Sequence, residues 1–294
     1  MPTRVAINGT IHPPETAMVS VFDRGFLYGD SVFEVLRTYA GAPFALEEHL
    51  GRLSRSAQYI GMSLPVAIAQ LRLELERTLA EAAEPDAYVR IVVTRGAGEL
   101  GLDPSLARDP MRVIIVQALR APPRALYVDG IAVITMATVT RSTDPNSTTS
   151  AKTSNYLSNI LALRTAKQRG AHEAILVAAD GSVLEGTTSN LFIIADGALV
   201  TPALDAGILP GITREHVLDA ARSIGLAVHE RRMSLADVWT ADEVFITSSL
   251  REVVPVVRVD DHEVGANMPG AVTRRIHTAF RSRTPARSLP MPWL

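Results

Sequence analysis

Lys152 is the first residue whose type suggests chemistry. It stands among small polar residues in the stretch TTSAKTSNYL and is one of two lysines in a chain with 29 lysine and arginine residues. Because arginine supplies almost all of the positive charge, a lysine here indicates a property that arginine lacks. That property is an amine that can lose its proton and attack a carbonyl group. A solvated surface lysine is the alternative interpretation.

Glu185 is the second such residue, because it interrupts an apolar run in the stretch SVLEGTTSNLF. One interpretation is a glutamate at a strand end that faces water. The other is a carboxylate that stays ionised beside a cationic ring nitrogen. Pyridoxal 5'-phosphate (PLP) needs a lysine and a carboxylate of this kind. The lysine binds its aldehyde as a Schiff base, and the carboxylate keeps the ring protonated so that it can take up electrons.

The stretch ILPGITREHVL offers a place for the phosphate of such a cofactor. Pro210 and Gly211 predict a turn, after which Ile212 and Thr213 open a helix. The N–H groups at the start of a helix have no partner within it and attract anions. An ordinary helix with Thr213 as its N-cap is the alternative.

Two other stretches contain groups that bind anions. Thr247, Ser248 and Ser249 follow the predicted strand DEVFI, where their hydroxyls could donate to a phosphate or form a turn. Arg52 lies among leucines in EEHLGRL, and an inward guanidinium there would pair with a dianion. A solvated arginine is the alternative at that position.

The first part of the chain predicts a small α+β domain over residues 1–119. Apolar alternation predicts strands, and apolar residues at helical spacing predict helices. In chain order, these are strands in RVAING, AMVSVFDRG and, around a turn, DSVFEVLRTYAGAPFAL, helices in EEHLGRLSRSAQYIGM and PVAIAQLRLELERTLAEAA, and strands in AYVRIVVTRG and MRVIIVQAL.

Residues 120–125, RAPPRA, are the predicted linker, since two prolines favour an extended chain. A larger α/β domain is predicted over residues 126–281, and residues 282–294 are predicted to be a loosely held tail. In the larger domain, a polar loop leads to a helix from Asn155 to Gly170 that is expected to bury Leu157, Ile160 and Leu161. A strand meander, a helix in TREHVLDAARSIG and further strands follow.

The composition excludes several classes of function. The net charge is −2 in 294 residues, so the sequence has no electrostatic footprint for nucleic acid or an anionic membrane. The chain has no cysteine, which excludes disulfides and thiolate sites, and its seven histidines lack metal-ligand spacing, so no metal is predicted. Without a signal-like start or a spanning apolar run, a cytoplasmic protein is expected.

Taken together, the motifs resemble the fold-type IV PLP enzymes, or class IV aminotransferases. This family includes branched-chain and D-amino acid aminotransferases, R-selective amine transaminases and aminodeoxychorismate lyases. The resemblance runs in order through FDRGFLYGDSVFEVLRTY, EEHLGRL, YVRIVVTRG, AKTSNYLSNILA, EAILVAADGSVLEGTTSNLF, LPGITR and ITSSLREVVPV. It implies a small α+β domain, a larger barrel-like domain, and a homodimer with its active site at the subunit interface.

The resemblance also implies roles for single residues. Lys152 would be the Schiff-base lysine and proton shuttle, and Glu185 the partner of the pyridine nitrogen, its turn ordered by Asn190. The remaining cofactor-binding residues that it implies are Arg52, Ile212, Thr213, Thr247 and Ser248 at the phosphate, Tyr156 at the ring oxygen, and Thr188 and Ser189.

For the substrate, Tyr88 and Arg90 resemble the Tyr-x-Arg element of branched-chain enzymes, and Arg90 could bind a carboxylate bidentately. The stretch AGELGLDP, which follows TRG, lacks the Arg-x-His carboxylate trap of the familiar D-amino acid enzymes. Arg37 and Arg24 are the other carboxylate candidates, Arg24 by reaching the neighbouring subunit's site. Phe33 and Ser249 are also expected at the substrate.

The predicted reaction moves an amino group between an amino acid and a 2-oxo acid such as 2-oxoglutarate or pyruvate, in ping-pong half-reactions through Lys152. A D-amino acid and a branched-chain L-amino acid are both candidate donors. An aminodeoxychorismate lyase, which releases pyruvate, and an R-selective amine transaminase are the alternatives within the family. A non-enzymatic binding protein on the same fold is the rival from another class.

Overall fold

A computed structural model describes residues 3–138, 151–285 and 291–293. They form two compact units. The first lies within Met1–Arg120 and Ala151–Tyr156, and the second within Ala121–Ser150 and Leu157–Leu294. Most of the predicted polar loop and part of the predicted tail lie outside the described residues.

The first unit contains eight strands and three α-helices among its described residues. They are β1 (Arg4–Ile7), β2 (Thr10–His12), α1 (Arg24–Tyr28), β3 (Ser31–Tyr39), β4 (Ala42–Pro43), α2 (Leu46–Tyr59), α3 (Ile68–Ala82), β5 (Ala87–Thr94), β6 (Ala97–Gly98), β7 (Ala107–Arg108) and β8 (Met111–Ala118).

Six of these strands form an antiparallel sheet in the order β2-β1-β8-β5-β3-β4. Alternate residues of β5 are buried, as expected for a strand with one covered face. Helices α2 and α3 supply Leu50, Leu53, Leu71 and Leu75 to the core on that face. Their apolar spacing is what the sequence predicted for these two helices.

The opposite face of this sheet carries four of the five predicted substrate residues of the first unit. Arg37 lies opposite Tyr88, and Val35 lies opposite Arg90, in the antiparallel register of β3 and β5. Residues directly opposite each other share a face. Phe33, two residues before Val35 on β3, therefore lies on the same face as Arg90.

The lysine segment Ala151–Tyr156 packs with the first unit, although the sequence assigned it to the larger domain. The amide of Phe33 donates to the carbonyl of Lys152 at 3.0 Å, and the amide of Ser154 donates to the carbonyl of Ser31 at 3.1 Å. The segment thus adds backbone pairing to the start of β3, which fixes the position of the lysine.

The second unit contains five α-helices and nine strands among its described residues. They are α4 (Ala125–Val128), β9 (Ile131–Ala137), α5 (Leu157–Gln168), β10 (Glu173–Val177), β11 (Val183–Gly186), β12 (Asn190–Ala195), β13 (Ala198–Thr201), α6 (Ile212–Ser223), β14 (Val228–Glu230), α7 (Leu235–Trp239), β15 (Glu243–Ser248), β16 (Glu252–Val259), β17 (His262–Glu263) and α8 (Ala271–Arg281).

These nine strands pair in one mixed sheet in the order β11-β10-β9-β16-β15-β12-β13-β14, with β17 beside β16. The sheet curls into a half-barrel, in agreement with the barrel-like domain expected from the sequence. Its core combines the inward side chains of these strands with Val238 of α7. The turns at the ends of β11 and β15 carry most of the predicted cofactor residues of this unit.

Two predictions about local structure are wrong. The stretch AMVSVFDRG is not a strand, because residues 17–22 are irregular and Asp23 N-caps α1 by accepting hydrogen bonds from the amides of Gly25 and Phe26. On α5, the three residues expected to be inward are exposed, and Ala162 and Ala166 are buried instead. The loosely held tail stays a prediction; within it, Trp293 packs against the core of the second unit.

Among the described residues, no helix has both the length and the apolar character that crossing a bilayer requires. The cytoplasmic location expected from the sequence stays a prediction.

Candidate active site

Lys152 is held by its backbone amide, its backbone carbonyl and its side-chain amine. Its amide donates to Ser56 Oγ at 3.1 Å. Its Nζ donates to the phenol oxygen of Tyr156 at 3.0 Å and lies 4.5 Å from the centre of the Phe33 ring. The structure thus brings the predicted lysine and the predicted ring-oxygen tyrosine together. An amine held beside a phenol has a nearby group with which to exchange a proton.

Arg52 makes a two-pronged ion pair with Glu34, which the sequence analysis did not single out. Its Nε and Nη2 donate to Glu34 Oε1 and Oε2 at 2.6 and 2.7 Å. His49 Nδ1 lies 2.8 Å from Oε2 of the same carboxylate. All three side chains are buried. The guanidinium predicted at the phosphate is therefore oriented by a carboxylate of the first unit.

Charge balance in this cluster follows from its pKa values. Burial alone would raise the pKa of Glu34, but the charge and hydrogen bonds of Arg52 lower that pKa to about 2. Burial lowers the pKa of His49, and the nearby charges of Arg52 and Lys152 lower it further against the effect of Glu34. At neutral pH, Glu34 is thus ionised and His49 is neutral, so the pair with Arg52 has no net charge.

Arg90 differs from the other arginines predicted to bind the substrate. Its guanidinium lies 4.0 Å from the centre of the Phe33 ring, and it has no hydrogen bond or ion pair with any described residue. Arg37 lies 4.1 Å from the Tyr39 ring and 3.9 Å from a carboxylate oxygen of Asp86. Arg90 and Lys152 therefore contact the same aromatic ring, and the charge of Arg90 has no counter-ion among the described residues.

Arg24 is held by hydrogen bonds within its own unit. Its side chain is buried, Nε donates to Asp30 at 3.1 Å, and Nη1 and Nη2 donate to the carbonyls of Gly101 and Leu102 at 2.8 and 3.2 Å. These bonds use all three nitrogens and hold the loop of Gly101 and Leu102. The role predicted for Arg24 at the neighbouring subunit's site stays a prediction.

Glu185 is buried at the end of β11, so the interpretation of a glutamate facing water is wrong. Its Oε2 accepts hydrogen bonds from Asn190 Nδ2 and from the amide of Leu209, each at 3.0 Å. Asn190 Nδ2 also donates to the carbonyl of Leu209 at 3.0 Å. The predicted role of Asn190 in ordering this turn is consistent with these bonds. They hold a carboxylate in place, as the partner of a ring nitrogen requires.

The start of α6 offers backbone donors, as the sequence predicted, but with a different N-cap. Gly211 is the N-cap and provides no side-chain hydrogen bond, so Ile212 and Thr213 occupy the first two helical positions. The amides of these positions have no acceptor within the helix. In the same unit, Thr247 Oγ1 is buried and has no hydrogen-bond partner among the described residues. A phosphate would supply the acceptor that this hydroxyl lacks, so these groups fit PLP.

Thr188 and Ser189, which the resemblance places at the cofactor, both bond a buried carboxylate. Both hydroxyls donate to Glu173 Oε1, at 3.2 and 2.8 Å, and the amide of Thr188 donates to the same oxygen at 2.8 Å. Ser248, at the end of β15, accepts a hydrogen bond from Arg251 Nε at 3.3 Å. Ser249 follows it in the turn before β16. The hydroxyls of Thr188 and Ser189 thus bond a buried carboxylate, which needs several donors.

Four residues in these networks were not predicted from the sequence: Glu34, His49, Glu173 and Arg251. A signal existed for Glu34, since period-2 alternation places it on the buried face with Val32 and Leu36, where a carboxylate requires a cationic partner. The others had no comparable signal, because their partners are distant in the sequence.

Residues 31–259 match the family model for amino-transferase class IV. A putative branched-chain-amino-acid aminotransferase of Methanocaldococcus jannaschii is 39% identical over 278 residues, which cover 95% of each chain. The D-alanine aminotransferase of a Listeria monocytogenes strain is 36% identical over 279 residues, which cover 94% of each chain.

Solved structures agree with the sequence comparisons. The branched-chain amino acid aminotransferase from Escherichia coli superposes with a TM-score of 0.88 at 30% identity, covering 97% of this chain and 96% of that one. Another neighbour is a branched-chain enzyme solved with pyridoxamine 5'-phosphate. The expected fold-type IV architecture is thereby confirmed. The chain therefore belongs to the class IV aminotransferases and is a PLP-dependent enzyme of that family.

Proposed function

We propose that Lys152 binds the aldehyde of PLP and moves the substrate proton in two ping-pong half-reactions. The observation that carries this proposal is the 3.0 Å contact between its Nζ and the phenol oxygen of Tyr156, on a backbone segment anchored to β3. When bound, PLP supplies the aldehyde and a ring that takes up electrons from the substrate. Lys152 would hold the cofactor, remove a proton from the substrate and return it.

In the second unit, Glu185 would accept a hydrogen bond from the protonated pyridine nitrogen and so keep the ring protonated, because two donors already fix its carboxylate. The amides of Ile212 and Thr213 and the hydroxyl of Thr247 would bind the phosphate, and Ser248 would add a further hydroxyl. Arg52 of the first unit is a further proposed phosphate ligand, and its orientation by Glu34 supports this role.

The proposed substrates are amino acids and 2-oxo acids, including 2-oxoglutarate or pyruvate as acceptors. Arg90 would bind the α-carboxylate, because its guanidinium has no partner among the described residues and contacts the same ring as Lys152. Phe33 and Tyr88 would line this region. Since simple amines have no carboxylate, Arg90 favours an amino acid donor over an R-amine. A D-amino acid and a branched-chain L-amino acid are both proposed donors, in keeping with the names of the two relatives.

A homodimer with active sites at the subunit interface is the proposed assembly. Two segments of the first unit expose large apolar side chains, which we call the apolar patch: Met18, Val19, Val21, Phe22, Phe26, Leu100 and Leu102. Exposed apolar side chains that cluster in this way mark interaction surfaces. Arg24 joins the two segments by bonding the carbonyls of Gly101 and Leu102. A second copy of the chain is the proposed occupant of the patch.

Borohydride reduction of the holoenzyme followed by peptide mass spectrometry tests the role of Lys152. The pyridoxyl group is expected on Lys152, and Lys152→Ala is expected to abolish both trapping and transamination. Lys167→Ala is the matched control, because Lys167 is the other lysine of the chain and lies exposed on α5. Trapping at another residue, or turnover by Lys152→Ala, would contradict the proposal.

A panel of amino donors distinguishes the proposed substrates and the alternative activities of the family. D-amino acids, branched-chain L-amino acids and R-1-phenylethylamine are each mixed with the holoenzyme, and the loss of the cofactor's visible absorbance is followed. Release of pyruvate from aminodeoxychorismate without an acceptor would identify a lyase instead.

A further inference from the structure

Glu173 organises the turn that carries Glu185. It is the first residue of β10 and is about 1% exposed. Its Oε1 accepts hydrogen bonds from the side chains of Thr187, Thr188 and Ser189 and from the amide of Thr188, at 2.8–3.2 Å. These donors form the whole turn between β11 and β12. One carboxylate oxygen thus determines the path of the chain from Glu185 to the next strand.

Ionisation of Glu173 strengthens the hydrogen bonds that it accepts from this turn. Burial alone would raise its pKa, but the charge of Arg251 and the hydrogen bonds from the turn lower it below the usual value. The side chain is therefore ionised at neutral pH, and hydrogen bonds to an ionised acceptor are stronger than those to a neutral one.

Arg251 connects this turn to the loop between β15 and β16. Its Nη2 lies 2.7 Å from Glu173 Oε2 in an ion pair and donates to Thr188 Oγ1 at 2.9 Å. Its Nε donates to Ser248 Oγ at 3.3 Å. Glu173 Oε2 has no aligned hydrogen bond with a described residue, so the ion pair is its principal contact. One guanidinium thus spans two loops that carry proposed cofactor ligands.

We propose that Glu173 and Arg251 are positioning residues for PLP, although neither is proposed to touch it. Glu173 sets the turn beside Glu185, and Arg251 sets the position of Ser248 relative to that turn. This inference rests on the proposed function, since it assigns the two loops to one cofactor. It differs from a purely structural role because it predicts changes in how the cofactor is held.

Glu173→Gln, Arg251→Met and Arg251→Lys test the proposal. In Glu173→Gln, an amide replaces an acceptor that faces only donors. Arg251→Met keeps much of the side-chain volume but loses the contacts to Ser248 and Thr188, and Arg251→Lys restores the charge without the planar fork. The matched controls are Glu74→Gln and Arg112→Met, because Glu74 is a buried carboxylate paired with Arg112 at 2.7 Å in the first unit.

Three quantities are measured for each variant: the melting temperature of the apoprotein, the dissociation constant of PLP, and the visible circular dichroism of bound PLP. Glu173→Gln and Arg251→Met are expected to raise the dissociation constant by about 10- to 100-fold, by analogy with the loss of metal affinity when outer-shell partners of metal ligands are removed. Both variants are also expected to change the visible circular dichroism of bound PLP. Arg251→Lys is expected to give values between those of the wild type and Arg251→Met. The two controls are expected to lower the melting temperature only.

Unchanged dichroism and affinity in Arg251→Met would overturn the inference, and so would equal changes in the two controls. If Glu173→Gln does not fold, Arg251→Met and Arg251→Lys decide the question. Failure of the proposed function would be recognised separately, because the wild-type protein would then show no borohydride-trapped adduct at Lys152.

Discussion

Asn190 Nδ2 donates a hydrogen bond to Oε2 of Glu185 at 3.0 Å. The same nitrogen donates to the carbonyl of Leu209, whose amide donates back to Glu185. The three residues therefore form a closed set that joins the end of β11, the start of β12 and the segment before α6. A substitution of Asn190 therefore affects both the carboxylate of Glu185 and the backbone at Leu209, which leads into α6.

Asn190→Asp is expected to weaken PLP binding by about 10- to 100-fold at neutral pH, because two carboxylates would then face each other. The loss is expected to shrink at acidic pH, where one of the two takes up a proton. Titration of the apoprotein with PLP at neutral and at acidic pH measures this loss of affinity. Asn267→Asp is the control, since Asn267 bonds Glu263 in the same way at an exposed position. An equal loss at both pH values would argue against charge repulsion.

Gly211→Ala is expected to disturb the same set of residues. The backbone of Gly211 has a φ of −71°, which alanine adopts without strain, but the added methyl would overlap Asn190 Oδ1. We expect a loss of stability of about 1–3 kcal/mol from overpacking, together with weaker PLP binding. Gly51→Ala in α2 is the control and is expected to raise stability by about 0.5–1 kcal/mol, because it replaces a glycine inside a helix. Tight PLP binding by Gly211→Ala would show that Asn190 can shift at no cost.

Acid is expected to destabilise the apoprotein through Glu34 and Glu252. The pKa of each is lowered from 4.5 to about 2, against the effect of burial, by Arg52 and His49 for Glu34 and by His277 and Arg281 for Glu252. Each lowered pKa stabilises the folded state above the unfolded pKa, and this stabilisation is lost as the pH falls from 4.5 towards 2. Each contributes about 3 kcal/mol.

Urea unfolding at a series of acidic pH values measures this dependence. Glu34→Gln is expected to reduce stability by about 3–5 kcal/mol at neutral pH, because the buried guanidinium of Arg52 would lose its ion pair with Glu34. The slope of stability against pH is expected to flatten in that variant. An unchanged slope would show that Glu34 does not carry the acid sensitivity.

Arg90→Met is expected to reduce kcat/KM for amino acids by about 10- to 100-fold, the loss expected when a hydrogen-bonded charge is removed. Arg37→Met is expected to have a smaller effect, because Arg37 already lies near Asp86. Steady-state kinetics with an amino acid and with a simple amine measure both. A larger effect from Arg37→Met would transfer the carboxylate role to Arg37.

Leu102→Asp is expected to convert the proposed dimer into a monomer. Leu102 is 80% exposed in the apolar patch, and a charge there would oppose burial against a second copy. Leu73→Asp is the control, because Leu73 is also exposed but lies on α3 outside the patch. Analytical ultracentrifugation distinguishes the two states. A wild-type monomer, or a dimer that Leu102→Asp leaves intact, would remove the apolar patch as the interface.

The elements that bury an apolar face in their own unit were predictable from the sequence. Helices α2 and α3 and strands β5 and β8 follow their hydrophobic periods. The error at AMVSVFDRG has a physical reason: its apolar residues are exposed, so they satisfy the strand pattern without a sheet to bury them. The same reason applies to Leu157 and Ile160 on α5. Periodicity shows that a face is apolar, but it does not show which surface will cover it.

The candidate site could be predicted where a residue type is itself unusual in its surroundings. Lys152 and Glu185 stood out because a lysine in an arginine-rich chain and a carboxylate in an apolar run are unusual. The roles of Glu34 and Glu173 depend on partners that folding brings to them, such as Arg52 and Arg251. Pairings of this kind are set by strand register and loop geometry, which a single sequence does not reveal.

The chain order of the first unit has a consequence for synthesis of the protein. All strands of its sheet lie before Arg120, but Lys152 follows only after Ala121–Ser150. During synthesis, all strands of the first sheet therefore leave the ribosome before Lys152 does. A product that ends at Arg120 could pair these strands but would lack the proposed Schiff-base lysine.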